Sequence, residues 1–410
     1  MRPMWLCTPL ACAVLVSTNV PAFAQAVGAA PPDQVEEELP TVKGKRRFLL
    51  AAAGIAIGTL PSLAVSGRSN ERGGFCASRS CAIALGAAMG GSAGFLIGRD
   101  LDRSAALREA RGPTLHLPVQ AIELELTPEA VDAYEGGAIV IGREGIATVE
   151  PDRTVRRRGG AIRGVAAVAA LPAHDAILAV TGTGVYSFDL SGSQEAGRMV
   201  LPEGGATLEP IAADQVVLAG SDLVRRLRLS GRGSLVRLAE ESRAPGTGLS
   251  TALAYSPQAG ILWSLSGDRL VAKTPELREV GSVVLPAAGR TLALSGGRAI
   301  IAAGPNGLFT VDIREPANPR VLGHLRGIGF AFDAVIQGDT AYIAAGREGL
   351  LVVDVADPGA PRVLGMARDM GFVGSVALAP DGRLYATDRE GERLFLLDLQ
   401  MGGSGRGGGR

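Results

Sequence analysis

The sequence predicts an all-β protein made of seven repeated four-stranded units, and two observations predict it. First, the segment IIAAGPNGLFTVDIREPANPRVLGHL, which begins at residue 300, returns almost unchanged as YIAAGREGLLVVDVADPGAPRVLGMA at 342–367. A period of about 40–45 residues, built from apolar runs and Gly or Pro turns, is typical of a β-propeller. Three matched pairs share an offset of 42 residues: Gly307 and Gly349, Asp312 and Asp354, and Pro319 and Pro361.

Second, the same pattern continues with decreasing similarity on both sides of this pair. One copy consists of an apolar run, a Gly-rich turn, a second apolar run and an Asp-Pro turn, and a further arm completes a four-stranded blade. Seven blades are the preferred count, and six or eight remain alternatives because 200–290 is hard to align. The copies lie at 139–151, 178–192, 216–231, 262–273, 300–325, 342–367 and 383–400.

The two ends of the repeat region predict how the ring closes. The last copy ends after its third strand, at Leu399, and the alternating segment LHLPVQAIELEL (115–126) precedes the first full copy. We therefore expect this N-terminal segment to supply the missing strand of the last blade. Closure of this kind removes exposed strand edges that would otherwise promote aggregation.

The composition limits the classes of partner. The net charge is zero and only 20% of residues are charged, so nucleic-acid binding is not indicated. The chain has 57 glycines, which suits many tight turns, and aromatic residues make up only 4%. We expect a core of Val, Leu, Ile and Ala.

The N-terminus is typical of an exported protein. Residues 1–24 combine Arg2, a short apolar stretch and the sequence Ala22-Phe23-Ala24, which together predict a cleaved signal peptide. The alternative is an uncleaved anchor. Residues 25–47 predict a disordered linker, with a Pro-Pro pair, an acidic run and the basic run KGKRR.

Two cysteines remain after removal of the signal peptide. Cys76 and Cys81 lie close together in GGFCASRSC, and export to an oxidising compartment would allow them to form a disulfide. Two free thiols are the alternative. A metal site is less favoured, because no histidine lies near them.

Residues 48–99 predict a glycine-rich helical hairpin. Two apolar stretches, 48–65 and 82–98, flank a polar loop, and their glycines recur every four residues on one helix face. The hairpin resembles the glycine-zipper segments of bacterial envelope proteins, which implies helix packing in a membrane or in a homo-oligomer. A soluble hairpin packed on the propeller is the alternative. The helix-packing glycines are Gly54, Gly58, Gly86, Gly90, Gly94 and Gly98.

The two strongest copies resemble a known repeat. GLFTVDIREPANPRVLG and GLLVVDVADPGAPRVLG both contain Gly-Leu-x-x-Val-Asp-x-x-x-Pro-x-x-Pro and are similar to the LVIVD repeat of bacterial and archaeal β-propellers. The resemblance implies exported or cell-surface propellers with no established chemistry, and it carries over no catalytic residues. We expect 100–114 to be a linker, 115–400 the propeller and 401–410 a disordered tail.

The repeated residues have structural explanations. Gly307 and Gly349 suit hairpin turns that need positive φ. Asp312 and Asp354 follow strands, where a carboxylate can accept hydrogen bonds from nearby backbone. Pro319 and Pro361 restrict the outer connection. Ligand specificity is expected instead in copies two to four, which deviate most from the repeat.

Candidate catalytic and metal-binding groups are few. His116, His174 and His324 occupy different positions in the repeat, and no phosphate-binding loop is present. One acidic position recurs and could form a ring that binds a cation through oxygen ligands, although repeated turn chemistry is the favoured explanation. Its members are Glu150, Asp189, Asp312, Asp354 and Asp398. The sequence therefore predicts no catalytic, cofactor-binding or metal-binding residue.

These observations predict an exported, membrane-associated β-propeller that acts as a non-catalytic binding or scaffold module at the cell envelope. Its location would be periplasmic or on the cell surface, with membrane contact through 48–99. An envelope protein or a glycan is the expected partner, without a cofactor. The alternative is a propeller enzyme, hydrolytic or metal-dependent, with its site at the axial opening.

Overall fold

Twenty-eight β-strands and two short 3₁₀ turns, Pro172–His174 and Gly233–Leu235, make up the part of the chain that the structure describes. The structure is a computed structural model, and it describes residues 112–399 except 159–161, 192–196, 222 and 247. The predicted signal peptide, linker, helical hairpin with its six glycines, and tail lie outside these residues, as do Cys76 and Cys81. Among the described residues, no helix is long and apolar enough to cross a membrane.

The strands form seven separate four-stranded antiparallel sheets, each one blade of a β-propeller. The first strand, β1 (Val119–Glu123), belongs to blade 7. Blade 1 contains β2 (Pro128–Tyr134), β3 (Gly137–Gly142), β4 (Gly145–Val149) and β5 (Val155–Arg157). Blade 2 contains β6 (Val165–Leu171), β7 (Ala176–Thr181), β8 (Gly184–Asp189) and β9 (Arg198–Leu201). Blade 3 contains β10 (Thr207–Ala212), β11 (Gln215–Ala219), β12 (Leu223–Ser230) and β13 (Arg237–Pro245).

The second half of the ring follows the same order. Blade 4 contains β14 (Ser250–Ser256), β15 (Ile261–Ser266), β16 (Arg269–Lys273) and β17 (Glu279–Val284). Blade 5 contains β18 (Thr291–Ser295), β19 (Arg298–Ala302), β20 (Leu308–Asp312) and β21 (Arg320–Leu325). Blade 6 contains β22 (Asp333–Gln337), β23 (Thr340–Ala344), β24 (Leu350–Asp354) and β25 (Arg362–Ala367). Blade 7 contains β26 (Val373–Leu378), β27 (Arg383–Asp388) and β28 (Arg393–Asp398).

The ring closes through the N-terminal strand. β1 pairs antiparallel with β28 from Val119↔Leu397 to Glu123↔Arg393, so blade 7 has the order β1-β28-β27-β26. This pairing confirms the predicted closure, and the blade count is seven. The first strand of each blade is the innermost one, and the innermost strands contact one another in sequence around the axis.

The core lies between neighbouring blades. One cluster of buried apolar side chains fills each of the seven junctions. At the junction of blades 4 and 5, for example, Trp263 and Leu265 pack with Ile301 and Phe309. Most of the other core members are Val, Leu, Ile and Ala, as the low aromatic content predicted. Each blade therefore depends on both neighbours for burial.

The turn residues of the repeat have strained or capped backbone. Gly307 and Gly349 have φ values of +79° and +88°, and a Cβ at either position would collide with the carbonyl oxygen of Leu325 or Ala367. The carboxylate of Asp354 accepts a hydrogen bond from the N–H of Ala356 at 2.9 Å. The Asp354 contact connects the third strand of blade 6 to its outer connection.

The outer strands of blades 5 and 6 each contain a glycine against which a segment from outside the blade packs closely. In blade 5, a Cβ at Gly323 would collide with the carbonyl of Pro358 in the outer connection of blade 6. Blade 7 has no such connection, because its fourth strand is β1. At Gly365 of blade 6, the segment before β1 occupies the position that an outer connection of blade 7 would have. The Met366 N–H donates to Pro113 O at 2.9 Å, and the Leu115 N–H donates to Met366 O at 2.8 Å.

We predict that the closing strand is a major determinant of stability. Ile122 of β1 is 6% exposed and packs in the junction of blades 7 and 1. Ile122→Ala should lower the free energy of unfolding by about 2–5 kcal/mol, because it removes buried apolar surface and leaves a cavity. Urea denaturation of the full chain checks this. Gln120→Ala, at an exposed position of β1, is the control, and equal effects of the two changes would contradict the prediction.

Candidate binding site at the axial mouth

One face of the ring is formed by the turns between second and third strands together with the segments that connect consecutive blades. Backbone hydrogen bonds join these two sets of loops. The Ala331 N–H donates to Gly304 O at 2.9 Å, and the Gly346 N–H donates to Val373 O at 2.9 Å. The innermost strands begin on this face, at the axis. We call it the mouth face.

The mouth is asymmetric, because the residue immediately before the innermost strand differs in size between the two halves of the ring. In blades 1 to 3 this residue is small: Thr127, Gly164 and Ala206. In blades 4 to 7 it is large: Leu249, Arg290, Phe332 and Phe372. Phe330 joins the second group from the segment before blade 6. We call the set of Leu249, Arg290, Phe330, Phe332 and Phe372 the collar.

The three phenyl rings of the collar form one aromatic cluster. The ring centroids of Phe330 and Phe332 are 4.3 Å apart at an interplanar angle of 41°. Those of Phe332 and Phe372 are 5.3 Å apart at 63°. Such tilted and edge-on arrangements are favourable for phenyl pairs. The turn residue Gly346 makes room for the cluster, because a Cβ there would lie 2.7 Å from the Phe332 ring.

The collar also exposes apolar surface to solvent. Leu249 is 60% exposed and Phe330 is 36% exposed. Phe330 belongs to the aromatic cluster, and exposed apolar side chains in clusters mark binding sites more often than scattered ones do. The collar is therefore the candidate binding site of the propeller.

Arg290 differs from other arginines on the mouth face in its partners. Its guanidinium carbon lies 5.4 Å from the centroid of the Phe330 ring, in cation–π geometry. Arg347 pairs with Glu390 at 2.7 Å, and Arg368 pairs with Glu348 at 3.2 Å. In the described part of the chain, no carboxylate lies within 4 Å of the Arg290 guanidinium. Its charge remains available to an anion.

Polar side chains on the innermost strands bind the backbone of the next blade. A carboxylate oxygen of Asp333 accepts from the Ser375 hydroxyl at 2.8 Å and from the Val376 N–H at 3.0 Å. The Ser375 oxygen in turn accepts from the Val131 N–H at 3.3 Å. This chain links blades 6, 7 and 1. It satisfies backbone donors on the inner edge that has no neighbouring strand.

A similar contact joins blades 3 and 4. There a carboxylate oxygen of Glu209 accepts from the Tyr255 N–H at 2.8 Å. Burial raises the pKa of Glu209 to about 8, the negative charge of Asp132 adds to this rise, and the Tyr255 hydrogen bond opposes it. Burial likewise raises the pKa of Asp132 to about 6 and raises the pKa of Asp333. The axis therefore carries carboxyl groups that retain protons well above pH 4.

The recurring acidic position does not assemble into a common site. Its residues lie at or just after the ends of third strands, two strands away from the axis. Asp312 accepts from the Arg314 N–H at 3.0 Å, and hydrogen bonding to Arg314 lowers the pKa of Asp312 to about 2. Glu150 instead pairs with Arg156 at 2.7 Å. Among the described residues, no group of three or more His, Cys, Asp or Glu side chains could hold a metal ion.

The three histidines are also separate. His324 contacts Asn306 O through Nε2 at 2.7 Å and packs against Phe309. His174 contacts Gly231 O through Nδ1 at 2.8 Å, and His116 lies 3.9 Å from Asp369. Each contact is local to its own part of the ring. The histidines therefore form no shared site.

Sequence reasoning missed the collar. It expected specificity in copies two to four, whereas four of the five collar residues come from the segments before blades 5 to 7. Only Leu249 precedes blade 4. The available signal was the bulky residue before an inner-strand run, as in FAFDAVIQ and GFVGSVAL. That signal has meaning only when the inner strands are known.

Comparison with known proteins identifies the repeat and the fold. Residues 288–325 and 328–367 match the LVIVD repeat, and these ranges contain the strands of blades 5 and 6. Two blades therefore match this repeat. The match confirms the predicted repeat. No curated protein sequence is significantly similar to the chain.

Solved structures share the propeller architecture at low sequence identity. The Cps50 (Swd1) β-propeller domain of Myceliophteria thermophila is 13% identical, with a TM-score of 0.55 over 68% of this chain and 99% of that one. U3-55K is 11% identical, with a TM-score of 0.57 over 70% of this chain and 100% of that one. At this identity the similarity concerns the fold alone.

The raised pKa of Glu209 predicts the direction of a pH effect. The folded protein retains this proton at pH values where the unfolded chain, with an ordinary pKa of 4.5, has lost it. Folding therefore favours the protonated Glu209. The stability of the wild type is undiminished by this group below pH 4.5 and decreases as the pH rises toward 8. Glu209→Gln should be more stable than the wild type at pH 8, on the order of 1–3 kcal/mol.

Urea denaturation of both proteins between pH 4 and pH 9 measures this difference. Near pH 4 both side chains are neutral, so the two plots of unfolding free energy against pH should coincide there. As the pH rises, Glu209→Gln should become the more stable of the two proteins. Parallel curves over the whole range would contradict the assignment.

Proposed function

We propose that this protein is an exported, membrane-associated scaffold that binds a partner at the cell envelope through its mouth face, without catalysis. The observation that carries the proposal is the collar, where Phe330 is exposed beside the unpaired guanidinium of Arg290 and Leu249 is exposed at the start of blade 4. A closed ring supports such a site well, because each collar residue precedes a strand held by its neighbours on both sides.

The fold and the repeat support a binding module. Propellers present loops from several blades on one rigid face, and LVIVD repeats supply two of the blades here. Seven buried junctions fix the relative positions of the blades. The collar therefore needs little ordering when a partner binds, which favours affinity.

The location is inferred from the N-terminal sequence. Residues 1–24 have the features of a signal peptide, and 48–99 combine two apolar stretches with a glycine every four residues. In this proposal the hairpin holds the propeller at a membrane or joins copies of the chain through its glycine ridges. The partner is an envelope protein or a glycan.

Carbonate extraction tests the membrane association. After expression of the full chain in a bacterial host, the protein should remain in the membrane pellet at alkaline pH, and its N-terminus should begin at Gln25. A variant lacking 48–99 but retaining 1–47 is the matched control, and it should appear in the soluble periplasmic fraction. Recovery of the full chain in the carbonate supernatant would contradict insertion of the hairpin.

A second candidate function is an enzyme with its site at the axis. One observation favours it: Asp132 and Glu209 lie near enough for the charge of one to raise the pKa of the other, and perturbed carboxyl groups are common in active sites. Elemental analysis of the purified full chain after incubation with divalent cations and dialysis separates the two functions. The scaffold proposal expects no stoichiometric ion, and one ion per chain that Asp132→Asn removes would favour the enzyme.

A further inference from the structure

We infer that the collar binds an extended peptide segment in which an acidic residue stands two positions from an apolar residue. This inference rests on the proposed binding function and names the chemistry of the partner. Four properties of the mouth face support it: the free guanidinium, the shape of the aromatic cluster, the distance between them and the open half of the mouth.

The need for an acidic residue in the peptide is inferred from Arg290. Its guanidinium is exposed, and its position over the Phe330 ring restricts the side chain without using any of its N–H donors. A planar guanidinium binds carboxylates through two parallel hydrogen bonds, and a flanking aromatic ring lowers its hydration. Arg347 and Arg368, on the same face, already use carboxylates of the propeller itself. Arg290 is therefore the cation offered to a partner.

The need for an apolar residue in the peptide is inferred from the phenyl rings of Phe330, Phe332 and Phe372. They are tilted by 41° and 63° to one another, so they do not form one flat surface. A sugar ring stacks best on a flat aromatic face and needs hydrogen-bond donors or acceptors for its hydroxyls, which phenyl rings lack. An aliphatic or aromatic side chain of a peptide can pack on the exposed part of such an uneven apolar surface and gains by leaving water. The cluster thus favours a peptide over a glycan.

The spacing follows from the distance between the two features. The guanidinium carbon of Arg290 is 5.4 Å from the centre of the Phe330 ring. In an extended segment, alternate side chains lie on the same side about 6–7 Å apart. One side chain can therefore pack on the aromatic cluster while the carboxylate two positions away reaches Arg290. Adjacent residues would point to opposite sides.

The open half of the mouth provides the path for the backbone. The residues before the inner strands of blades 1 to 3 are Thr127, Gly164 and Ala206, which leave more space than the large residues of blades 4 to 7. A peptide that crosses the mouth can lie over the small residues and place its side chains against the collar. Leu249, which is 60% exposed, lies where the two halves meet.

The test uses the full chain and a display library of random heptapeptides. Enriched sequences should contain Asp or Glu two positions from Phe, Leu, Ile, Met or Val. For a fluorescein-labelled peptide from the enriched set, fluorescence anisotropy should give at least tenfold weaker binding to Arg290→Gln and to Phe330→Ala. Binding should also weaken several-fold between 50 and 500 mM NaCl, because salt screens the exposed ion pair.

Arg347→Gln is the matched control. It removes a guanidinium from the same face, but one that is already paired, so affinity should change less than twofold. Thermal melting of each variant checks the fold. Where the melting temperature is unchanged, weaker binding of the labelled peptide reports the lost contact and not unfolding. Enriched peptides without an acidic residue, or equal affinity for wild type and Arg290→Gln, would overturn the inference.

A separate arm distinguishes this inference from the proposed function. If no heptapeptide binds but alginate oligosaccharides bind the full chain and fail to bind Arg290→Gln, the peptide inference is wrong and the binding function stands. If the full chain binds neither peptides, alginate oligosaccharides nor any solubilised envelope component, the inference and the proposed function are both wrong.

Discussion

Every blade of this propeller depends on the antiparallel pairing of β1 with β28. The seven buried clusters lie between blades, so a blade without one neighbour would expose half of its apolar side chains. Covalent continuity joins blades 1 to 7 in order, and β1, which leads directly into blade 1, is the covalent link between the last blade and the first. The contact of Pro113 and Leu115 with the outer strand of blade 6 extends this closure, because it replaces the connection that blade 7 lacks. Stability and ring geometry are thus coupled to a segment at the start of the propeller.

A closed ring positions the candidate site. Leu249, Arg290, Phe332 and Phe372 each precede an innermost strand, so the direction of each side chain follows from the register of its blade. The repeat itself is nearly symmetric, but these positions lie in the connecting segments and are free to differ. Small residues on one half of the mouth and large residues on the other turn a symmetric scaffold into a directional surface. The first glycine of the repeated turn contributes as well, because it makes room for the Phe332 ring.

The axis carries an unusual set of polar groups for the same reason. Each innermost strand has one edge without a partner strand, and its backbone donors need acceptors. Asp333 and Ser375 provide them for one part of the ring, and Glu209 does so for another. Proximity to the axis also limits solvation, which raises the pKa of these carboxyl groups. The inner carboxyls are thus explained by the packing of the ring, and they hold adjacent blades together.

Sequence alone determined the repeat, the strand pairs around each Gly-rich turn, the closing strand and the composition of the core. These features are local or periodic: a hairpin needs Gly307 at positive φ whatever surrounds it, and alternating apolar residues need one buried face. Tertiary structure alone decided which residues meet at the mouth. Phe330 and Phe372 are 42 residues apart, and Arg290 lies a further blade away, so no local pattern relates them. Only closure into seven blades brings the ends of their inner strands to one axis, because the angle between consecutive blades is set by packing at every junction of the ring.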